Sequence, residues 1–234
     1  MDNALFMPTA KTYARIMENK PTIYVLAGPN GIGKTTVNQY YIPSEVPYIN
    51  ADDIAKQLRE RLNDINVQEL ANAEALEQMN KFIYKRQDFA IETNLADEDT
   101  WLFLVNIQRL GYLVCLTFFS TSDVDICINR VNMRYLQGGH FVRPDIVKMR
   151  YENGLKLLRY YKAIPDRLFF NDNTVDKSIR CLEIQKGTIV FQIEELPAWV
   201  QFVCTEEDKI KTTFSSIEEV REKYRKMNQK PNSD

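Results

Sequence analysis

The sequence predicts an α/β fold built on a parallel sheet, and three observations carry that expectation. Short apolar runs alternate with amphipathic segments along most of the 234 residues, the order expected when helices cover both faces of a parallel sheet. The first apolar run leads straight into a glycine-rich stretch closed by Lys34-Thr35. Several runs end in polar or acidic residues, at the edge where parallel sheets bind their ligands.

Taken in order, Thr22 to Ala27 reads as a buried strand, followed by the glycine turn and a helix from Lys34 to about Tyr41. Val46 to Ile49 is a short second strand. A long helical stretch from about Asp53 to Arg86 is expected to break near Asn63-Asp64. Phe89-Ala90-Ile91 is the third strand and runs into Glu92-Thr93. The next helix, Glu98 to Leu110, stops at Gly111, a residue suited to a helix C-terminus. Tyr112 to Phe119 is the strongest strand signal. Ser122 or Asp123 then caps a helix to about Leu136, with Val124, Ile128, Val131 and Tyr135 on one stripe. Gly138-Gly139 breaks it, and Pro144 opens a further helix to about Lys162. Arg167 to Phe170 reads as the last strand of a five-stranded sheet. Beyond Asn173 the pattern changes to a hairpin, Ile179–Ile184 and Thr188–Ile193 around Gln185-Lys186-Gly187. A capping box, Ser216-Ile217-Glu218-Glu219, starts a short terminal helix. The expected organisation is an N-terminal helical extension (1–20), a core (21–178) containing a lid at about 122–162, and an appended hairpin and helix (179–234).

Composition narrows the function. Thirty Lys+Arg against 32 Asp+Glu give a net charge of −2, which argues against a protein that coats nucleic acid. No apolar run is long enough to span a membrane and no signal core opens the chain, so a cytoplasmic protein is expected. Cys115, Cys127, Cys181 and Cys204 are scattered, which suggests reduced thiols, and with one histidine they offer no zinc-ligand spacing.

Gly28-Pro29-Asn30-Gly31-Ile32-Gly33-Lys34-Thr35 fits G-x-x-x-x-G-K-[ST] and lies between a strand and a helix, the context the motif requires. The glycines let backbone N–H groups converge on phosphate oxygens. Lys34 reaches the β- and γ-phosphates, and the Thr35 hydroxyl, followed by Thr36, is placed to ligate Mg²⁺. A nucleotide-binding protein that uses ATP and Mg²⁺ is expected. No LSGGQ-like segment or NKxD-like guanine reader accompanies the loop. Asp52-Asp53 follows the second strand, at the same sheet edge as the loop. A carboxylate there can accept a proton from an attacking hydroxyl or hold Mg²⁺, or it can cap the next helix; we assign Asp52 to the chemistry and Asp53 to the cap. Glu92 repeats the logic at the end of the third strand.

With these residues in view, GPNGIGKTT, INADDIA, FAIETNLA, GYLVCLTFF, NRVNMRYLQGGH and the closing NDN together resemble the zeta toxin family, over roughly residues 20–195. The resemblance implies a P-loop kinase that phosphorylates a sugar hydroxyl of UDP-N-acetylglucosamine, with an antitoxin protein as a candidate partner. It places Asp52 as the catalytic aspartate that activates the sugar hydroxyl, and Glu92 with Thr93 near the substrate. Arg130 matches one of two phosphate-clamping arginines. The second position is open between Arg143, which stands where close relatives have proline in GGH-x-V-P, and His140. Arg130, Arg134, His140, Arg143 and Arg150 fall within one stretch, which reads either as an electropositive lid or as a solvated helix face. Asp172-Asn173 falls where such folds pack adenine, or forms an Asx turn. A kinase for another acceptor such as a polynucleotide end, a nucleotide-dependent switch, and a toxin defined mainly by antitoxin binding are the alternatives.

Overall fold

The computed structural model describes residues 20–61, 66–139, 141–175 and 177–204. The N-terminal extension, the break at Asn63-Asp64, His140, and the capping box at Ser216 lie outside the described residues, as does everything after Cys204.

The elements follow the expected order. They are β1 (Thr22–Ala27), α1 (Lys34–Val37), β2 (Tyr48–Ile49), α2 (Ala51–Arg61), α3 (Val67–Lys85), β3 (Phe89–Thr93), α4 (Glu98–Arg109), β4 (Leu113–Ser120), α5 (Val124–Leu136), α6 (Pro144–Tyr161), β5 (Arg167–Asp172), β6 (Ile179–Gln185), β7 (Thr188–Gln192) and α7 (Ala198–Val203). One sheet holds all seven strands in the order β2-β3-β1-β4-β5-β6-β7. β1 to β5 are parallel, and the β6–β7 hairpin joins antiparallel to β5, so the sheet does not end at Phe170. The reordering brings β1 between β3 and β4, which sets the loop after β1 between the ends of both neighbours.

The sheet is buried on two faces because its central strands are nearly continuous apolar runs, so that both sets of alternate residues are mainly apolar. Ile23, Val25, Val114, Leu116 and Phe118 pack with Trp101, Leu104 and Ile107 of α4 and with Leu157, Leu158 and Tyr161 of α6. Trp101 and Tyr161 stack at 5.1 Å. Leu26 and Phe119 face the other way, against Ile32, Cys127 and Val131. Burying each such large side chain contributes about 1.5–3 kcal/mol. The stripe on α5 is rotated from the expected one. Cys127 and Val131 are buried, whereas Tyr135 is exposed and packs on Phe141 at 5.0 Å.

Two buried polar contacts seat α7 on the core. Trp199 Nε1 donates to Asp172 Oδ2 at 2.8 Å, and Lys162 Nζ donates to the Val203 carbonyl at 2.9 Å. The second satisfies a carbonyl that the end of a helix leaves without a partner. The four cysteines are free thiols; burial raises the Cys115 and Cys127 pKa values to about 11, so neither is poised to react. Among the described residues no helix is long and apolar enough to cross a membrane.

Candidate active site

The glycine-rich loop is fixed by close backbone approach. Gly28 and Gly31 have positive φ angles of 140° and 80°. A Cβ on Gly28 would lie 2.2 Å from the Phe119 carbonyl oxygen at the end of β4, and one on Gly31 would lie 2.4 Å from the Cys127 carbonyl oxygen of α5. Only glycine fits both the torsion and the space. Two asparagines complete the cradle. Asn173 Nδ2 donates to the Ile32 carbonyl at 2.9 Å, and Asn30 Oδ1 accepts from Arg150 Nη1 at 2.8 Å. The helix that follows is shorter than expected, with α-helical geometry ending at Val37 and a 3₁₀ turn over Asn38–Tyr40.

Lys34 is buried and folds back over this loop, its Nζ donating to the carbonyls of Gly28 at 2.7 Å and Pro29 at 3.1 Å. Glu92 Oε1 lies 3.9 Å from the same ammonium. Burial lowers the Lys34 pKa, and the charges of Glu92 and Asp52 oppose that shift. Glu92 is also the acceptor for three further donors. The Thr35 hydroxyl donates to its Oε2 at 2.9 Å, Asn50 Nδ2 does so at 3.3 Å, and the Tyr48 hydroxyl makes a close hydrogen bond to the same oxygen. The register Ile49↔Ile91 between β2 and β3 explains this convergence, because both strand ends then open beside the loop. Burial, and the negative charge of Glu92, raise the Tyr48 pKa, so its hydroxyl remains a proton donor.

The two aspartates differ from expectation in one respect. Asn50, not Asp53, caps α2: its Oδ1 accepts from the Asp52 N–H at 2.9 Å, and its carbonyl accepts from Ile54 N–H at 3.1 Å. The helix begins at Ala51, earlier than the pattern suggested, which moves the capping position back and puts both aspartates in the first turn. Asp53 is held up in pKa by partial desolvation and by the nearby charges of Glu92 and Asp52. Thr93 uses its hydroxyl locally, accepting from Leu95 N–H at 3.0 Å in the turn after β3.

The arginines divide. Arg130 Nη1 donates to the Asn173 carbonyl at 2.7 Å and Nη2 reaches that of Thr174 at 3.4 Å, so it ties α5 to the segment after β5. Arg143 points elsewhere. It stands just before α6, is 71% exposed, and pairs in two-point fashion with Asp145 at 3.0 and 2.6 Å. The structure thus gathers Lys34, Thr35, Glu92 and Asp52 at one sheet edge, with Arg130 and Arg150 on its α5–α6 side, while Arg143 is turned to Asp145. Tyr48 and Asn50 escaped assignment from sequence, and Arg150, read there as part of a lid or of a solvated face, reaches the loop through Asn30. The position of Asn50 immediately after a strand, two residues before an aspartate, was the available signal for one of them.

No family model matches the chain. An uncharacterised protein of Haemophilus influenzae is 30% identical over 139 residues, covering 58% of this chain and 95% of that protein. The chain belongs to the same family as that protein. Among solved structures, a chain from the PezAT chromosomal toxin–antitoxin system of Streptococcus pneumoniae superposes with a TM-score of 0.51 at 15% identity, over 95% of this chain and 97% of that one. A chain of the AvrRxo1-ORF1:-ORF2 complex with ATP gives 0.56 at 14% identity, over 77% of this chain and 64% of that one. Both superpositions are likenesses of fold. In this mostly parallel sheet, the edge carrying Lys34, Thr35 and Glu92 is the edge at which such sheets hold ligands.

Proposed function

We propose that the protein is an ATP-dependent kinase that transfers the γ-phosphoryl group to a hydroxyl of a small acceptor, a UDP-amino-sugar such as UDP-N-acetylglucosamine. The observation that carries this reading is the meeting of Lys34, Thr35 and Glu92 at the mouth of the glycine loop, with Asp52 in the first turn of the adjoining helix. Phosphoryl transfer asks little covalent work of a protein; it needs a cradle, cations, a proton acceptor and alignment. The amides of residues 28–35 would bind the phosphates, and Lys34 would exchange its loop carbonyls for phosphate oxygens. The Thr35 hydroxyl and the Asp52 carboxylate, with Glu92 beside them, are hard oxygen donors and suit Mg²⁺. When bound, that ion neutralises charge on the transferring group. Asp52 takes the proton of the acceptor hydroxyl as its oxygen bonds to the γ-phosphorus and the bond to the β-phosphate oxygen breaks, releasing ADP. Arg130 would steady charge on the γ-phosphoryl oxygens from the α5 side, with Arg143 or His140 as the second clamp.

The UDP-sugar acceptor and an antitoxin partner rest on the zeta toxin resemblance; the PezAT superposition, a chain of a toxin–antitoxin system, supports the second. The net charge of −2 favours a small acceptor over a polynucleotide end. The test is labelled ATP offered with UDP-sugars, free sugars and oligonucleotides in parallel. Label moving to UDP-N-acetylglucosamine is the expected result. Transfer to oligonucleotide ends would replace the acceptor, and hydrolysis without transfer to any acceptor would favour a nucleotide switch.

A further inference from the structure

β7 forms one end of the sheet, and among the described residues no strand pairs with its outer edge. All five of its residues are exposed, and Ile189, Val190 and Phe191 keep 48%, 53% and 43% of their surface in contact with water. Proteins usually guard such an edge with a lysine, a proline or a buried charge on the strand itself. Thr188–Gln192 contains none of these, and its single irregularity is a bulge opposite Glu183 and Ile184. The charges stand just outside the strand: Lys186 in the turn before it, Glu194 and Glu195 one residue beyond its end, all exposed.

That arrangement is complementary to itself. An antiparallel strand laid on β7 brings its own end beside the start of β7. In a second copy related by a two-fold axis at the strand's centre, each Lys186 therefore meets the other copy's Glu194 and Glu195, and the apolar triplets face each other. A parallel approach would set like charges together. We propose that β7 is a homodimerisation edge, where two copies pair antiparallel and join their two seven-stranded sheets into one. The glycine loop follows β1, which β4, β5 and β6 separate from β7 in the sheet order, so the pairing leaves that loop open. The contact is small, so a concentration-dependent dimer is expected rather than an obligate one.

The experiment is sedimentation of the full chain over a range of concentrations, for wild type, for Lys186→Glu, and for Glu194→Lys/Glu195→Lys. Wild type is expected to dimerise, and each charge reversal to weaken the dimer roughly tenfold, since both pairs across the two-fold are hit at once. Mixing the two variants restores dimerisation, because each altered end then meets its complement. Unchanged melting temperatures will show that these exposed substitutions leave the fold intact. A wild type that stays monomeric, reversals that leave the dimer unaffected, or a mixture that fails to recover would each overturn the proposal.

Discussion

Residues 28–35 and the α5–α6 helix pair carry the two halves of the positive charge around the candidate nucleotide site, and they hold it differently. In the loop, shape is dictated by contacts that leave no room: carbonyls of Phe119 and Cys127 press on Gly28 and Gly31, and Lys34 is buried against Glu92. In the helix pair, charge sits on longer arms with local partners. Arg143 is turned to Asp145, and Arg130 to the carbonyls of Asn173 and Thr174. Tyr135, Leu136 and Phe141 nearby are exposed. A preformed cradle, touched by Arg150 through Asn30, beside helices on which Arg130 and Arg143 are held by other partners is what a kinase needs if ATP binding is to draw those two arginines inward.

The largest effect should come from breaking the rigid side. Gly28→Ala forces a Cβ onto a backbone oxygen at a left-handed torsion, and should cost about 3 kcal/mol or more of stability and abolish ATP binding. Gly138, in the turn after α5, is the internal control. It too has a positive φ, of 83°, but a Cβ there meets nothing within 4 Å, so Gly138→Ala should cost only about 1–2 kcal/mol of torsional strain. Equal melting temperatures for the two variants would erase the contrast.

Arg130→Ala comes next. Transfer should fall roughly 10³-fold, by analogy with arginine fingers, while ATP affinity, measured separately, changes far less. Arg143→Ala should leave stability within about 0.5 kcal/mol, because its ion pair is exposed. A lowered rate at unchanged melting temperature would mark it as the second clamp. A large drop in melting temperature would contradict its placement here.

The smallest effects separate Asn50 from Asp53. Asn50→Ala removes the cap of α2 and should cost about 1 kcal/mol. Asp53→Asn should instead stabilise slightly at neutral pH. The folded state raises the pKa of this carboxyl, so its ionised form is penalised above that raised value. The gain should fade as pH falls through that raised value and vanish below the ordinary value of 3.8, where folded and unfolded forms are both protonated. Thermal melts at the two pH values check the sign.

Much of this was legible in the sequence. Thr22–Ala27 and Tyr112–Phe119 announced themselves as mainly apolar runs, which the structure gives as Thr22–Ala27 and Leu113–Ser120, and the glycine loop by its spacing. Glu92 stood out as a charge at the end of a buried strand. What stayed hidden was pairing at long range. That Tyr48 and Asn50 would close on Glu92 depends on β2 lying beside β3 in one register. That Arg150 would reach Asn30, 120 residues away, depends on how α6 lies over the loop. The orientation of Arg143 was equally unreadable, because Asp145, two residues on, competes for it. The hairpin was visible, but its joining to β5 was not, since an antiparallel edge carries no signal for the strand it will meet.

The most direct test of the central claim is single-turnover transfer from labelled ATP to UDP-N-acetylglucosamine by Asp52→Asn, with ATP binding measured on the same sample. The substitution keeps the size of the side chain and removes its capacity to accept a proton. Binding close to wild type with transfer abolished is the predicted result. Transfer at the wild-type rate would contradict the assignment of Asp52 as the base, and with it the proposed kinase mechanism.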